Sequence, residues 1–179
     1  MRFLFFLLLL SSCGYHWGTS NEERCIAVPY IQGDDDGSLT AAVVNRVNQS
    51  SGLVYSSRSR DLELRVCLNP PAAENVGFWR APQKKQLNAF TKIVVPMEGK
   101  LTLTAKVEVY DCQSNCRVYG PCKVSAYLDY DFNSDLTSYN DHAFSMGQLE
   151  MNNIAKIYAM RSAYNLLAEK IVDTVSHAW

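Results

Sequence analysis

Leu101-Thr102-Leu103-Thr104-Ala105-Lys106-Val107-Glu108-Val109-Tyr110 is the stretch that decides the fold. Leu101, Leu103, Ala105, Val107 and Val109 alternate with polar or amphipathic neighbours. A period of two puts those five side chains on one face of a strand and their neighbours on the other. Asp111 to Pro121 follows as a loop, with Asn115, Gly120 and Pro121 as turn residues. Lys123 to Phe132 then reads as the return strand, with Val124, Ala126, Leu128 and Tyr130 on one face. A long hairpin with one apolar face and one polar face needs a layer to cover the apolar side.

That layer is legible on both flanks. Downstream, a helix is predicted from about Met151 to Ser176. Ile154, Ile157, Tyr158, Tyr164, Leu167, Ala168, Ile171, Val172 and Val175 give it a stripe wide enough to cover a sheet. Upstream, the breaker cluster Gly33-Asp34-Asp35-Asp36-Gly37 precedes Ser38, which is read as the N-cap of a helix ending near Gln49. Leu62, Leu64, Val66 and Leu68 alternate through a second strand that stops at Asn69-Pro70-Pro71. Cys25 to Ile31 is a short apolar run read as the first strand. Pro29 cannot donate to a ladder, which points to an edge or bulged position for it.

The predicted order is β-α-β-β-β-α. It describes an α+β two-layer sandwich, a four-stranded mixed sheet covered on one face by two helices. The opposite face carries Thr102, Thr104, Lys106, Glu108, Ser125, Tyr127 and Asp129, and is polar.

The N-terminus is of a different kind. Arg2 precedes Phe3-Leu4-Phe5-Phe6-Leu7-Leu8-Leu9-Leu10, and Ser11-Ser12-Cys13-Gly14 follows. The apolar run has the length of a signal-peptide core and is well short of the ~20 residues that span a bilayer. Small residues followed by cysteine resemble the bacterial lipobox, in which the leader is cut before a cysteine that carries diacylglycerol; the alternative is an ordinary secretory leader with an incidental cysteine. Residues 1–12 are read as the lipoprotein signal peptide, 13–24 as a lipidated linker and 25–179 as a single domain, with Cys13 as the lipid anchor. Each buried CH₂ of a lipid chain adds about 0.8 kcal/mol of membrane affinity. In the lipoproteins that this leader resembles, a residue other than Asp after the cysteine, here Gly14, implies sorting to the outer membrane.

Composition limits the remaining possibilities. The formal charge is −1 in 179 residues, so no strong field draws the chain to nucleic acid. Hydrophobic residues make up 47%, enough for a packed core. No nucleophile elbow, zincin, P-loop or dinucleotide motif occurs, and no enzymatic activity or cofactor is expected beyond the covalent lipid. Six cysteines are present. With Cys13 lipidated, five remain in an oxidising compartment, which favours disulfides over the loose metal-ligand spacing of Cys112, Cys116 and Cys122. A Cys112–Cys122 bridge across the hairpin is expected, and Cys25–Cys67 is a second candidate if their strands are neighbours.

Between the second and third predicted strands lies a connection of about thirty residues, far beyond ordinary loop length. From Asn75 to Met97 it holds Arg80, Lys84, Lys85 and Lys92, no acidic residue, and Phe78, Trp79 and Phe90. Cations beside aromatic rings suit phosphorylated sugar headgroups with acyl chains. Arg80, Lys84 and Lys85 are the candidate ligand-binding residues. The alternative is that Ile93-Val94-Val95 simply extends a strand and the lysines are solvated.

Cys13-Gly14-Tyr15, then Ile26-Ala27-Val28-Pro29-Tyr30, then the helix, the Leu62-Glu63-Leu64-Arg65-Val66 strand, the long hairpin and the C-terminal helix together resemble the lipopolysaccharide-assembly lipoprotein (LptE) family. The resemblance spans essentially the whole mature chain. It departs from the family in its extra cysteines and in the long segment before the hairpin. It implies a plug in the lumen of the outer-membrane β-barrel LptD, facing the periplasm and lumen. Such a protein supports assembly of the barrel and export of lipopolysaccharide to the cell surface. The competing expectation is an envelope lipoprotein with another small-ligand or assembly-binding role.

Overall fold

A computed structural model describes residues 24–57, 61–80, 94–131 and 146–178, with backbone alone at 79–80, 94–97 and 146–152. The elements are β1 (Arg24–Ala27), α1 (Ser38–Gln49), β2 (Leu53–Tyr55), β3 (Leu62–Leu68), β4 (Ala72–Arg80), β5 (Val94–Asp111), β6 (Cys116–Asp131) and α2 (Met146–Ser176). The α+β class, the mixed open sheet and the two helices agree with expectation. The sheet has six strands rather than four.

Both additional strands come from segments with weak patterning. β2 is only Leu53-Val54-Tyr55 and pairs parallel to β1. That pairing makes β1 an internal strand, since β3 pairs parallel to its other side. Pro29 lies just past the end of β1 and so removes no donor from its ladder. β4 pairs antiparallel to β5 along the same edge of β5 that β3 occupies further on. β3 and β4 thus run in one direction, interrupted at Asn69-Pro70-Pro71, where the register against β5 slips by one residue. The long central strand β5 has β3 and β4 on one side and β6 on the other.

The two faces of the β5–β6 hairpin are as predicted. Leu101, Leu103, Ala105, Val107, Val109, Val124 and Ala126 are buried. They join Ile26, Leu64 and Val66 of the sheet, Leu39, Val43 and Val47 of α1, and Leu167, Ile171 and Val175 of α2 in one cluster. Fully burying an aliphatic side chain of this size contributes about 1.5–3 kcal/mol. This cluster is what holds sheet and helices together.

The start of α1 is built differently from the sequence reading. Ser38 is the first helical residue, and Gly37, at φ 74°, occupies the cap position without a side chain to offer. Asp34, buried among the apolar residues, replaces it. Its carboxylate accepts from the Leu39 N–H (3.3 Å), the Thr40 N–H (2.7 Å) and the Thr40 hydroxyl (2.6 Å). These satisfy helix N–H groups that have no intrahelical acceptor, and the negative charge sits at the favourable end of the helix dipole.

α2 is the longest element, 31 residues or about 46 Å at 1.5 Å per residue. It starts five residues earlier than expected. α1, with 12 residues, covers only part of that length. Ile154, Ile157 and Tyr158, expected in the sheet-covering stripe, are instead exposed, and the first fully buried α2 side chain among the described residues is Ala159.

Candidate functional site

The sheet surface away from the helices is the main functional candidate. Even-numbered residues of β5, odd-numbered residues of β3, and Arg117 and the odd-numbered residues from Lys123 onward in β6 project there, and they pair with one another. Arg65 donates to Glu63 at 2.7 Å, and its guanidinium lies 4.2 Å from the centre of the Tyr110 ring. Glu108 receives Lys106 at 3.0 Å, Arg117 at 3.4 Å and the Tyr110 hydroxyl at 3.3 Å. The Lys106 ammonium is the main reason the Glu108 carboxyl is held below its ordinary range. Thr104 and Ser125 share a hydrogen bond of 3.1 Å. Lys100 and Lys170 approach the Tyr127 ring, at 4.7 and 5.6 Å from its centre. The result is a hydrogen-bonded polar face of cations, carboxylates, hydroxyls and ring faces, suited to contact with a polar partner.

β4, the first half of β5 and the end of β6 continue this sheet as a three-stranded ribbon. All described β4 side chains from Ala72 to Phe78 are exposed or, at Gly77, half-exposed. Backbone pairing with β5 is therefore what defines β4. It converts most of the expected thirty-residue connection into a hairpin whose last pair is Arg80–Val94. The connection between the paired strands shrinks to residues 81–93. Arg80 stands at the end of that hairpin. Lys84, Lys85 and Cys13 lie outside the described residues.

Neither expected disulfide is formed. The hairpin turn is tight, residues 112–115, with Asn115 in the left-handed region at φ 52° and β6 already begun at Cys116. Asp111 fixes that turn by accepting from the Gln113 N–H (2.7 Å) and the Ser114 N–H (3.3 Å). These bonds lower its pKa, the first being the larger cause. Gly120 and Pro121 sit inside β6, where the ladder against β5 shifts register, rather than in the turn. Cys122 is opposite Val107, five residues short of Cys112 along β5. That is about 17 Å at ~3.3 Å per residue, against a Cα separation of about 4.4–6.8 Å for a disulfide. Cys25 and Cys67 do lie on adjacent strands, β1 and β3. However, Cys25 precedes the Ile26–Leu62 pair while Cys67 is five residues beyond it, so the two are about 20 Å apart. All five described cysteines are free thiols.

Two features escaped the sequence reading. The Asp34 cap was hidden because its acceptor lies five residues before its first N–H partner rather than next to the helix. The convergence of Lys170 on Tyr127 was hidden because it joins a helix to an edge strand.

No family model matches the chain. No curated protein matches it either. Solved structures do. One is a minor lipoprotein from Acinetobacter baumannii, with 18% identity and a TM-score of 0.50 over 86% of this chain and 91% of that one. Rare lipoprotein B from Shewanella oneidensis matches at 13% identity and a TM-score of 0.49, over 85% of this chain and 93% of that one. This chain thus has the fold of the Acinetobacter minor lipoprotein over nearly its whole described length.

Proposed function

We propose that this chain is an outer-membrane lipoprotein, anchored through Cys13, that plugs and helps assemble the LptD β-barrel for lipopolysaccharide export. The observation that carries the reading is the continuous polar face of the sheet. The interior of an outer-membrane barrel is polar, so a lumenal plug must present hydrogen-bonding and charged groups over a broad surface. The Glu63–Arg65–Tyr110–Glu108–Arg117 network provides such a surface on a rigid sheet. The leader ending just before Cys13, and a fold shared with the Acinetobacter minor lipoprotein, support the compartment. The Arg80 hairpin, with Lys84 and Lys85 in its connection, is assigned to the anionic lipopolysaccharide headgroup. The protein acts by binding and needs no cofactor besides its lipid.

The test is purification of the full chain from native outer membranes in mild detergent. A large β-barrel that co-purifies at equal stoichiometry, and is identified as LptD by mass spectrometry, is the expected result. Recovery of the lipoprotein from the outer membrane without a barrel would overturn the plug. That outcome would favour a separate envelope-binding role.

A further inference from the structure

The outer edge of β6 pairs with no described strand, and the hydrogen-bond directions of the sheet show which residues turn their backbone groups toward it. Along a strand, the N–H and C=O of one residue point to the same side, and the side alternates from residue to residue. The Thr104 carbonyl accepts from the Asn69 N–H at 2.8 Å, and the Cys112 N–H donates to the Asp61 carbonyl at 2.9 Å. Even-numbered residues of β5 therefore turn their backbone groups toward β3 and β4. Odd-numbered residues, Leu101 and Leu103 among them, turn theirs toward β6 and bond its partners Leu128 and Ala126. It follows that Ser125, Tyr127, Asp129 and Asp131 direct their backbone groups away from β5. No described strand pairs with that side of β6.

One of these outward groups is already capped within the chain. The Lys170 ammonium donates to the Ser125 carbonyl at 3.1 Å. This protects the part of the edge that lies beside α2, as charged side chains commonly protect exposed edges. The cap stops there. The outward N–H and C=O groups of Tyr127, Asp129 and Asp131 repeat at strand spacing, and no described strand lies against them.

We propose that residues 127–131 of β6 receive an extended segment of a partner protein as an additional antiparallel or parallel strand. The flanking side chains define its chemistry. Asp129 and Asp131 are exposed on the polar face; across the ladder Asp129 stands opposite Lys100, whereas Asp131 stands opposite Glu98 and so has a second carboxylate beside it. Leu128 and Tyr130, on the helix side, are partly buried against the core. An added strand therefore carries basic residues on the polar face, above all beside Asp131 and Glu98, and apolar residues beside Leu128 and Tyr130, in strict alternation. This goes beyond the barrel-plug reading and does not depend on it.

The probe is an eight-residue peptide of alternating lysine and valine, added to the full chain at low salt and followed by amide hydrogen exchange. Without peptide, the outward amides of Tyr127, Asp129 and Asp131 are expected to exchange at least 100-fold faster than the inward amides of Leu128 and Tyr130. With peptide, the outward amides slow at least tenfold. Asp129→Pro removes an outward donor only, which an edge strand tolerates, and is expected to abolish that protection. Should Asp129→Pro fail to fold, the pair Asp129→Lys and Asp131→Lys provides the second arm, with an expected loss of peptide affinity of at least tenfold. Unprotected outward amides at millimolar peptide would overturn the proposal. So would protection unchanged in the folded proline or double-lysine variant. Protection that grows with protein concentration in the absence of peptide would assign the edge to a second copy of this chain instead, and would overturn the proposed partner.

Discussion

The Asn69 N–H donates to the Thr104 carbonyl at 2.8 Å, across the gap between β3 and β4. That one bond carries the ladder over Asn69-Pro70-Pro71, where two successive prolines offer no donor. It keeps the register of β3, and the one-residue slip falls just beyond it, at Pro70-Pro71, before the Ala72–Thr102 pair that opens β4. The Arg80 hairpin end is positioned by this junction.

Asn69→Pro would remove that donor and leave the Thr104 carbonyl without it. A typical net cost is about 1–2 kcal/mol. Urea unfolding is expected to show the lower stability. Hydrogen exchange should show faster opening in β4 than in β3, because β3 also buries Leu62, Leu64, Val66 and Leu68 whereas β4 is held by backbone pairing. Equal effects on both strands would mean that the Asn69 bond does not anchor the start of β4.

Asp34→Ala is expected to cost about 1–3 kcal/mol, more than a solvent-exposed cap, because the carboxylate is buried and three donors lose their acceptor. Asp34→Asn keeps an acceptor oxygen and should cost less. The order Ala worse than Asn, measured by denaturant unfolding, is the decisive readout. The variant should fray α1 at its first turn and leave the β5–β6 hairpin protected.

These cases show what the sequence could and could not reveal. β3, β5 and β6 were legible because each buries alternate side chains against helices, and burial on one face writes period two into the residues. β4 was not legible, because Ala72 to Phe78 buries no side chain fully and is held by backbone pairing, to which side-chain patterning is blind. β2 was too short to show a period. The disulfide expectation failed on turn length. Asp111 and Asn115 close a four-residue turn, and moving the turn by a few residues separates Cys112 from Cys122 by most of a strand. On the polar face, the residue identities were readable, whereas the Lys170 contact required knowing which helix lies beside which edge.

Acid should loosen the polar face before the core. The Glu108 carboxyl is stabilised in its charged form chiefly by Lys106, with Tyr110 and Arg117 adding to it, and Asp111 by the Gln113 and Ser114 amides. Both folded pKa values lie below the unfolded ones. Their contribution to stability is therefore present above the ordinary carboxylate range of about pH 4 and lost as pH falls through the lowered values. The urea midpoint is expected to stay level from pH 7 to about 5 and to fall below about 4. Glu108→Gln should reduce the size of that fall. An acid limb unchanged by Glu108→Gln would place the responsible carboxylates elsewhere.

The Arg80 hairpin gives the most direct functional test. Asn75 to Met97 carries four cations and no carboxylate, and β4 brings Arg80 to the end of the strand pair from which Lys84 and Lys85 follow. Charge-assisted hydrogen bonds to phosphate are roughly twice as strong as neutral ones, and exposed pairs weaken as salt screens them over about 10 Å at 0.1 M. Replacing Arg80, Lys84 and Lys85 together by Glu changes the local charge by six units at positions outside the described hydrophobic cluster. The expected outcome is lipopolysaccharide affinity reduced at least tenfold at low salt, with the difference from the parent narrowing as salt rises. Unfolding midpoint and barrel co-purification should remain at parental levels, since neither depends on these side chains in the proposed arrangement. A triple variant that binds lipopolysaccharide as tightly as the parent at low salt would remove the hairpin from recognition. Loss of barrel co-purification together with lipid binding would instead place these cations at the protein interface.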